Sequence, residues 1–153
     1  MTQIAPSLLA CDFGNLEAEV CAVEAGGADM HHIDIMDGHF VPNLSFGLPV
    51  VEAIARAASI PLDVHLMIEP YEPYLDAFRD AGAHRIAVHV EASPHPHRAL
   101  QAIRDMGLVA GLALRSWPGP PRRPCGGAAA PLVARPTDVA KHRTLRSLSI
   151  HLH

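Results

Sequence analysis

Ionisable side chains recur at alternate positions in two apolar segments of this sequence. In "HHIDIM", His32 and Asp34 are separated by one residue, and in "LDVHLM" His65 occupies a comparable position. Side chains alternate between the two faces of a strand, so His32 and Asp34 share one face. Imidazole and carboxylate groups together bind divalent metal ions. The pattern alone leaves two interpretations open, a metal site or hydrogen-bonded histidines in a protein core.

The faces that carry these groups also carry methionine, and the opposite faces are aliphatic. Met36 shares the face of His32 and Asp34, and Met67 shares the face of His65. We expect the aliphatic faces to pack beneath helices, which turns the polar faces toward the interior of a barrel. Burying a lone carboxylate is costly, and a bound metal ion would remove that cost. At their spacing the two methionines could equally fill a core.

The remaining histidines are not expected to bind metal. His31 and His39 lie off the polar face or in the following loop, where surface or supporting positions are expected. Four others have no comparable partner in the sequence and are interpreted as ordinary residues: His84, His89, His95 and His97.

Short apolar strands alternate with helices along residues 1–114. The predicted strands are "IAPSLLA", "MHHIDIM", "IPLDVHLMI", "HRIAVHV" and "LVAGLAL". The predicted helices are "GNLEAEVCAVEAGGA", "LPVVEAIARAAS", "YEPYLDAFRDAGA" and "PHRALQAIRDMG", with Asn15 as an N-cap and Gly26, Gly82 and Gly107 as stops. This alternation predicts right-handed βαβ units and a parallel sheet of the α/β class. No glycine-rich dinucleotide fingerprint follows the first strand, which favours an α/β barrel over a Rossmann-like sheet.

The composition indicates one globular domain of a cytosolic protein. The chain has 153 residues, of which 49% are hydrophobic and 18% charged, and a formal net charge of −4. Three cysteines without a CxxC pair predict reduced thiols rather than disulfides or a zinc ribbon. The N-terminus lacks a signal-peptide pattern, and no apolar run approaches the ~18 residues of a membrane helix. The slight acidity argues against nucleic acid as a partner.

A second kind of sequence begins near residue 115. Residues 1–114 contain 5 lysines and arginines and 15 acidic residues. Residues 115–153 contain 7 lysines and arginines and 1 acidic residue. The last 39 residues also hold 6 of the 14 prolines, four of them in "SWPGPPRRPCGG". Such a change in charge and proline density predicts a domain boundary, and we expect a largely disordered tail with one weak helix near its end.

Four segments of residues 1–114 resemble the ribulose-phosphate 3-epimerase family, in the family's order and spacing. They are "IAPSLLACDFGNL", "HHIDIMDGHFVPNLSFG", "PLDVHLMIEPYEPYL" and "AGLAL". The resemblance implies a TIM (β/α)8 barrel, here truncated to about four βα units plus a fifth strand. It also implies interconversion of D-ribulose 5-phosphate and D-xylulose 5-phosphate in the pentose phosphate pathway, by removal of the C3 proton through an enediolate.

Transferred residue by residue, the resemblance implies a set of site residues. His32, Asp34 and His65 would bind one divalent metal ion, and zinc, iron, manganese and cobalt all suit such ligands. Asp34 would also act as an acid/base on one face of a sugar-phosphate substrate. The substrate-binding residues would be Ser7, His65, Met36 and Met67.

The resemblance ends near Leu114. The family's second half brings an opposing catalytic aspartate, which is also the fourth metal ligand, and glycine-rich loops that bind the phosphate. Residues 115–153 match neither, and Asp138 lies in "RPTDVAKH", which differs from the family's motif. We therefore expect a truncated copy whose tail arises from a frameshift. We also expect very low or absent activity, because inversion at C3 needs two acid/base groups that flank the substrate.

Two alternatives stay open. One is a catalytically silent chain that binds metal or pairs with another copy, since pairing would cover the open strand edges of a half-barrel. The other is a sugar-phosphate lyase of the same barrel superfamily. Such lyases carry a lysine and aspartate array on the second and third strands, whereas the only lysine here is Lys141.

Overall fold

The computed structural model describes residues 3–115 and the pair 150–151. The helices are α1 (Leu16–Ala25), α2 (Leu48–Ala57), α3 (Leu75–Asp80) and α4 (Pro96–Asp105). The strands are β1 (His31–Met36), β2 (Leu62–Met67), β3 (Arg85–His89), β4 (Val109–Ala113) and β5 (Ile150–His151). Short 3₁₀ helices cover Leu8–Ala10, Phe13–Asn15, Glu72–Tyr74 and Val90–Ala92.

The first predicted strand ends early, at Ser7. Residues 4–7 run extended beside β1, where the N–H of His32 donates to the carbonyl of Pro6 at 2.9 Å. Ser7 and His32 form a single parallel bridge. Ser7 Oγ then accepts a hydrogen bond from the N–H of Leu9 and caps the 3₁₀ helix that follows. The predicted continuation of this strand to residue 10 is therefore wrong, because a local side-chain hydrogen bond turns the backbone.

Four strands form a parallel sheet in the order of the sequence, β1-β2-β3-β4. A helix joins each strand to the next, so the predicted α/β class is confirmed. A strand order without a reversal is that of a barrel wall, whereas Rossmann-like sheets reverse at a switch point. The short strand β5 lies antiparallel to β4.

The hydrophobic core lies between one face of the sheet and the helices. Every second residue of β1 is buried, including Ile33 and Ile35, as the alternation predicts. The inner strand β2 is buried along its whole length. From the helix layer, Val51 and Ile54 of α2 are fully buried at the spacing of one helical face. Burial of such side chains contributes roughly 1.5–3 kcal/mol each and fixes the sheet that carries the polar residues.

Glycines terminate helices where the sequence predicts stops. Gly26 is the C-cap of α1, and Asn15 is its N-cap, although the Asn15 side chain makes no capping hydrogen bond. Gly82 follows α3 with φ +104°, and a Cβ atom there would lie 2.7 Å from the Cβ of Ala55. Gly107 follows α4 with φ +81°. Both later glycines adopt left-handed backbone conformations that other residues rarely adopt.

No helix in the described part of the chain is both long and apolar enough to cross a membrane.

The predictions for residues 115–153 concern a domain boundary and a disordered tail of frameshift origin. Apart from Arg115 and β5, that segment lies outside the described residues. Those predictions therefore stay predictions.

Candidate functional site

The parallel register of β1 and β2 brings the predicted site residues side by side. The pairs are His32 opposite Asp63, Asp34 opposite His65, and Met36 opposite Met67. Paired residues of neighbouring strands point to the same face of a sheet. All of these side chains therefore lie on the face of the sheet opposite Ile33 and Ile35, which pack into the core.

Three of these side chains form a compact cluster of ligand atoms. The nitrogen and oxygen atoms that His32, Asp34 and His65 offer lie within 4.8 Å of one another. Asp34 Oδ1 is 3.2 Å from His32 Nε2 and 3.1 Å from His65 Nδ1. Two imidazoles and a carboxylate at these separations fit a divalent ion, whose bonds to such ligands are about 2.0–2.2 Å long. The structure thus brings the predicted ligand trio together.

Three neighbouring side chains keep Asp34 in its carboxylate form. Ser7 Oγ donates a hydrogen bond to Asp34 Oδ2 at 2.6 Å, and the rings of His32 and His65 approach Oδ1. Burial acts to raise the pKa of Asp34, but these hydrogen bonds outweigh it and hold the pKa well below its usual range. Asp34 is therefore ionised at neutral pH, in the form that binds a cation or accepts a proton.

His32 lies between two carboxylates. Its Nε2 faces Asp34, and its Nδ1 is 2.9 Å from Asp63 Oδ2. Burial acts to lower the pKa of His32, whereas the hydrogen bonds and charges of Asp34 and Asp63 raise it to about 9. An imidazole that binds a metal through Nε2 carries its proton on Nδ1, and this N–H group donates a hydrogen bond to Asp63. Asp63 thus orients the His32 ring toward the cluster.

A cavity of about 450 Å³ opens over this face of the sheet. Its lining includes every site residue that the sequence predicts: Ser7, His32, Asp34, Met36, His65 and Met67. Leu9 and Ala10 complete the wall. Among the described residues that line it, Asp34 is the only carboxylate. Polar groups able to bind a cation thus share a small-molecule-sized space with apolar side chains.

Asp37 joins the loops that follow β1 and β2. Its Oδ1 accepts hydrogen bonds from the N–H groups of His39 and Phe40 at 2.7 and 2.8 Å. Its Oδ2 accepts a hydrogen bond from the N–H of Glu69 at 2.9 Å. These bonds fix the loops at the carboxyl ends of the strands, the end at which barrel enzymes place their sites. His39 itself is exposed, as predicted.

The expected surface or supporting position of His31 is wrong. Its side chain lies on the helix-facing side of β1 and is 0% exposed, with Nε2 at 3.0 Å from Glu24 Oε1. Glu24 also accepts hydrogen bonds from the N–H and the hydroxyl of Ser59. The hydrogen bonds from Ser59, and then from His31, lower the pKa of Glu24 to about 2. His31 is thus part of a structural contact between α1 and β1, on the face away from the cavity.

The prediction that His89 is an ordinary residue without a partner is also wrong, because His89 contacts His65. Its Nε2 is 2.9 Å from His65 Nε2, and the two rings are stacked. Burial, followed by the neighbouring His65, lowers the pKa of His89 to about 4, so the ring is neutral. Alternation along β3 could have found it, because His89 shares a face with Ala87, which pairs with His65. The other histidines interpreted as ordinary are exposed: His84, His95 and His97.

Known proteins are similar to this chain over its first three quarters. A family profile described as "Ribulose-phosphate 3 epimerase family" matches residues 3–121. A Rhodobacter capsulatus protein named ribulose-phosphate 3-epimerase is 52% identical over 119 residues, which cover 78% of this chain and 51% of that protein. A Bacillus subtilis protein of the same name is 52% identical over 114 residues, covering 74% of this chain and 52% of that protein.

The chain spans about half the length of the curated relatives that it matches. A protein of Aquifex aeolicus, also named ribulose-phosphate 3-epimerase, is 45% identical over 114 residues, 74% of this chain and 51% of its own length. The solved structure of an aldolase superposes with a TM-score of 0.42 and 16% identity, over 69% of this chain and 56% of its own. That likeness is too low to define a shared fold.

Proposed function

Because the chain belongs to the ribulose-phosphate 3 epimerase family, we propose that it provides the metal-binding half of a site that interconverts D-ribulose 5-phosphate and D-xylulose 5-phosphate. The observation that carries the proposal is the convergence of His32, Asp34 and His65 on one cavity. The proposed substrate-binding residues line the same cavity: Ser7, His65, Met36 and Met67.

One divalent ion is proposed for the cluster, and zinc, iron, manganese and cobalt all suit its ligands. His32 would bind through Nε2, Asp34 through Oδ1 and His65 through Nδ1, since these atoms face one another. Such an ion supplies Lewis-acid stabilisation of the negative charge that develops on the sugar oxygens beside C3. Asp63 would support this role, because its carboxylate accepts a hydrogen bond from the Nδ1–H group of His32 and so orients the ring.

Asp34 is proposed to transfer a proton at C3 from one face of the sugar. Its ionised carboxylate accepts the C3 proton, which the neighbouring C2 carbonyl makes acidic, and returns it in the reverse step. The hydrogen bond from Ser7 Oγ to Oδ2 orients the carboxylate. Loss of the proton leaves an enediolate, and His65, whose two nitrogens face Asp34 and His89, is proposed to line its pocket with the ring itself. Met36 and Met67 present apolar thioethers that exclude water from this intermediate.

Inversion needs a second acid/base on the opposite face of the sugar. Of the described residues that line the cavity, Asp34 alone carries a carboxylate. A proton that Asp34 returns to C3 regenerates the starting epimer. We therefore expect proton exchange at C3 to be faster than full epimerisation in this chain.

A catalytically silent, metal-binding chain is the second candidate function, and the single carboxylate on the cavity favours it. A lyase of the same superfamily is disfavoured, because residues 3–115 contain no lysine. The further expectations stay proposals: a small sugar phosphate as substrate, no nucleic-acid or membrane partner, a cytoplasmic location, and assembly with further copies of the chain.

The test is a conversion assay on the full chain. The purified protein is treated with a chelator and then given Mn²⁺ or Zn²⁺, and formation of xylulose 5-phosphate from ribulose 5-phosphate is followed by NMR. We expect slow conversion that depends on the added metal and is lost in Asp34→Asn. The exposed Asp105, which contacts only Gln101 on its own helix among the hydrogen bonds of the described chain, supplies the matched control Asp105→Asn.

Two results of this assay would redirect the proposal. Metal binding without any conversion or C3 exchange in the wild-type chain would support the silent alternative. Conversion that persists in Asp34→Asn would overturn the role of Asp34 while leaving the family assignment untouched.

A further inference from the structure

His89, at the end of β3, lies directly behind the proposed metal ligand His65. Its Nε2 is 2.9 Å from His65 Nε2, and the ring centroids are 4.9 Å apart. His89 is buried and does not line the cavity. His65 thus points Nδ1 at Asp34 and Nε2 at a second histidine. The neighbour on Nε2 decides where the ring proton of His65 resides.

Hydrogen-bond polarity couples the two rings. A neutral imidazole carries one N–H donor and one lone-pair acceptor. When His65 offers the lone pair of Nδ1 to a cation, its Nε2 must carry the proton and donate a hydrogen bond to His89 Nε2. His89 must then carry its own proton on Nδ1. That N–H group is buried and requires an acceptor.

Glu91 offers an acceptor close to that position. Its Oε2 lies 3.5 Å from His89 Nδ1, an atom that is buried and without a hydrogen-bond partner among the described residues. A small side-chain rotation closes this gap to hydrogen-bond distance. Glu91 Oε1 accepts a hydrogen bond from the N–H of Arg115 at 2.8 Å, which holds the carboxylate in place.

The other side of His89 is packed against an aromatic ring. The ring of Phe40, from the loop after β1, lies 5.0 Å from the ring of His89, centroid to centroid. The guanidinium of Arg115 lies over the ring of Phe40, 4.3 Å from its centroid. His89 and Glu91 are therefore held between the ends of β3 and β4 and the loop after β1. These contacts restrict the orientation of the His89 ring, which a residue that positions His65 requires.

We propose that His89 and Glu91 are positioning residues, which keep His65 in the tautomer with its proton on Nε2 and the lone pair of Nδ1 directed at the cation. The inference rests on the metal site proposed above and adds two residues to it. Hydrogen-bond partners behind metal-binding histidines typically change metal affinity about 10–100-fold. A role in packing alone would require only the shape of the His89 ring.

Two replacements of His89 in the full chain separate these roles. His89→Gln retains an acceptor oxygen near the position of Nε2, whereas His89→Phe keeps a stacking ring and offers no acceptor. Cobalt affinity is measured from the visible absorption of bound Co²⁺ in competition with a chelator. We expect His89→Gln to bind within ~3-fold of the wild type and His89→Phe to bind ~10-fold more weakly or worse. His97→Phe, at an exposed histidine, is the matched control.

A second measurement does not depend on how the variants fold. Nitrogen-15 NMR of the Zn²⁺-loaded wild type reports which nitrogen of His65 carries the proton, and we expect Nε2. A proton on Nδ1, equal Co²⁺ affinity of His89→Phe and the wild type, or equal losses in both His89 variants would overturn the positioning role. Failure of the wild-type chain to bind Co²⁺ would instead overturn the proposed metal site itself.

Discussion

Replacing Asp63 by asparagine is predicted to lower the pKa of His32 and the stability of the chelator-treated chain. Asp63 Oδ2 lies 2.9 Å from His32 Nδ1, and both side chains are largely buried. Asparagine keeps the size of the side chain and an acceptor oxygen but removes the negative charge. The variant therefore isolates the electrostatic contribution of Asp63 to the imidazolium form of His32.

The magnitude follows from the pKa of His32, which rises from 6.5 to about 9. At about 1.4 kcal/mol per pKa unit, the charged ring contributes about 3 kcal/mol to the free energy of unfolding. Because the folded-state pKa is raised, this stability is present below pH ~6.5 and is lost as the pH rises through ~9. Asp34 is the larger source of the increase and Asp63 the smaller, so Asp63→Asn is expected to lower the pKa of His32 by roughly 1. The corresponding loss of stability at pH ~6 is on the order of 1 kcal/mol.

The assay is an NMR titration of the histidine ring protons, with the His32 signal assigned from His32→Gln. Chemical denaturation at pH ~6 and pH ~9.5 gives the free energy of unfolding on both sides of the titration. Asp105→Asn serves as the control, since Asp105 lies on α4 and is exposed. A wild-type pKa of His32 below about 7, or the same pKa in Asp63→Asn, would refute the reasoning.

Three further predictions concern the fold that positions the site. Gly82→Ala should destabilise the chain by about 1–3 kcal/mol in chemical denaturation, since φ is +104° and the new Cβ would lie 2.7 Å from Ala55 Cβ; a loss below about 0.5 kcal/mol would contradict this. Val64→Ala, at a fully buried position of the inner strand β2, should lower the free energy of unfolding by about 2–3 kcal/mol, and an unchanged melting temperature would contradict it. Glu24→Gln removes a carboxylate whose pKa is lowered to about 2, so wild-type stability should fall as the pH drops from ~4.5 toward ~2, and the variant should lose this dependence. Parallel stability profiles of the two proteins would show that the contacts of the Glu24 carboxylate to Ser59 and His31 do not stabilise the fold.

Alternation within each strand, together with the aliphatic side that packs beneath the helices, predicts which side chains share the cavity. The pleat is a property of the backbone, so His32 and Asp34 can be assigned to one face of β1, and the aliphatic face of β2 predicts that His65 points to the same side of the sheet. The order of strands and helices likewise predicts the α/β class, which the parallel sheet confirms. Only the family resemblance assigns Ser7 to the site, because no periodicity places an isolated bridge residue beside β1.

A local sequence pattern cannot predict contacts between different elements or hydrogen bonds from a side chain to the backbone. The burial of His31 depends on Glu24, which belongs to a different element, α1. The role of His89 depends on the register between β2 and β3, which decides that its ring meets His65. The early end of the first strand depends on a hydrogen bond to Ser7 Oγ that competes with sheet pairing. Each of these features is set by tertiary geometry or by a side chain that bonds to the backbone.

The most direct test of the proposed chemistry is hydrogen exchange at C3 of the sugar phosphates in deuterium oxide. The full chain is loaded with Mn²⁺ or Zn²⁺ and incubated separately with D-ribulose 5-phosphate and with D-xylulose 5-phosphate, and deuterium at C3 is measured by mass spectrometry and NMR. With Asp34 as the acid/base on one face, deuterium should enter one of the two sugars with retention of configuration, faster than the other epimer forms, and Asp34→Asn should abolish it. Absence of metal-dependent exchange in both sugars, or undiminished exchange in Asp34→Asn, would contradict the account.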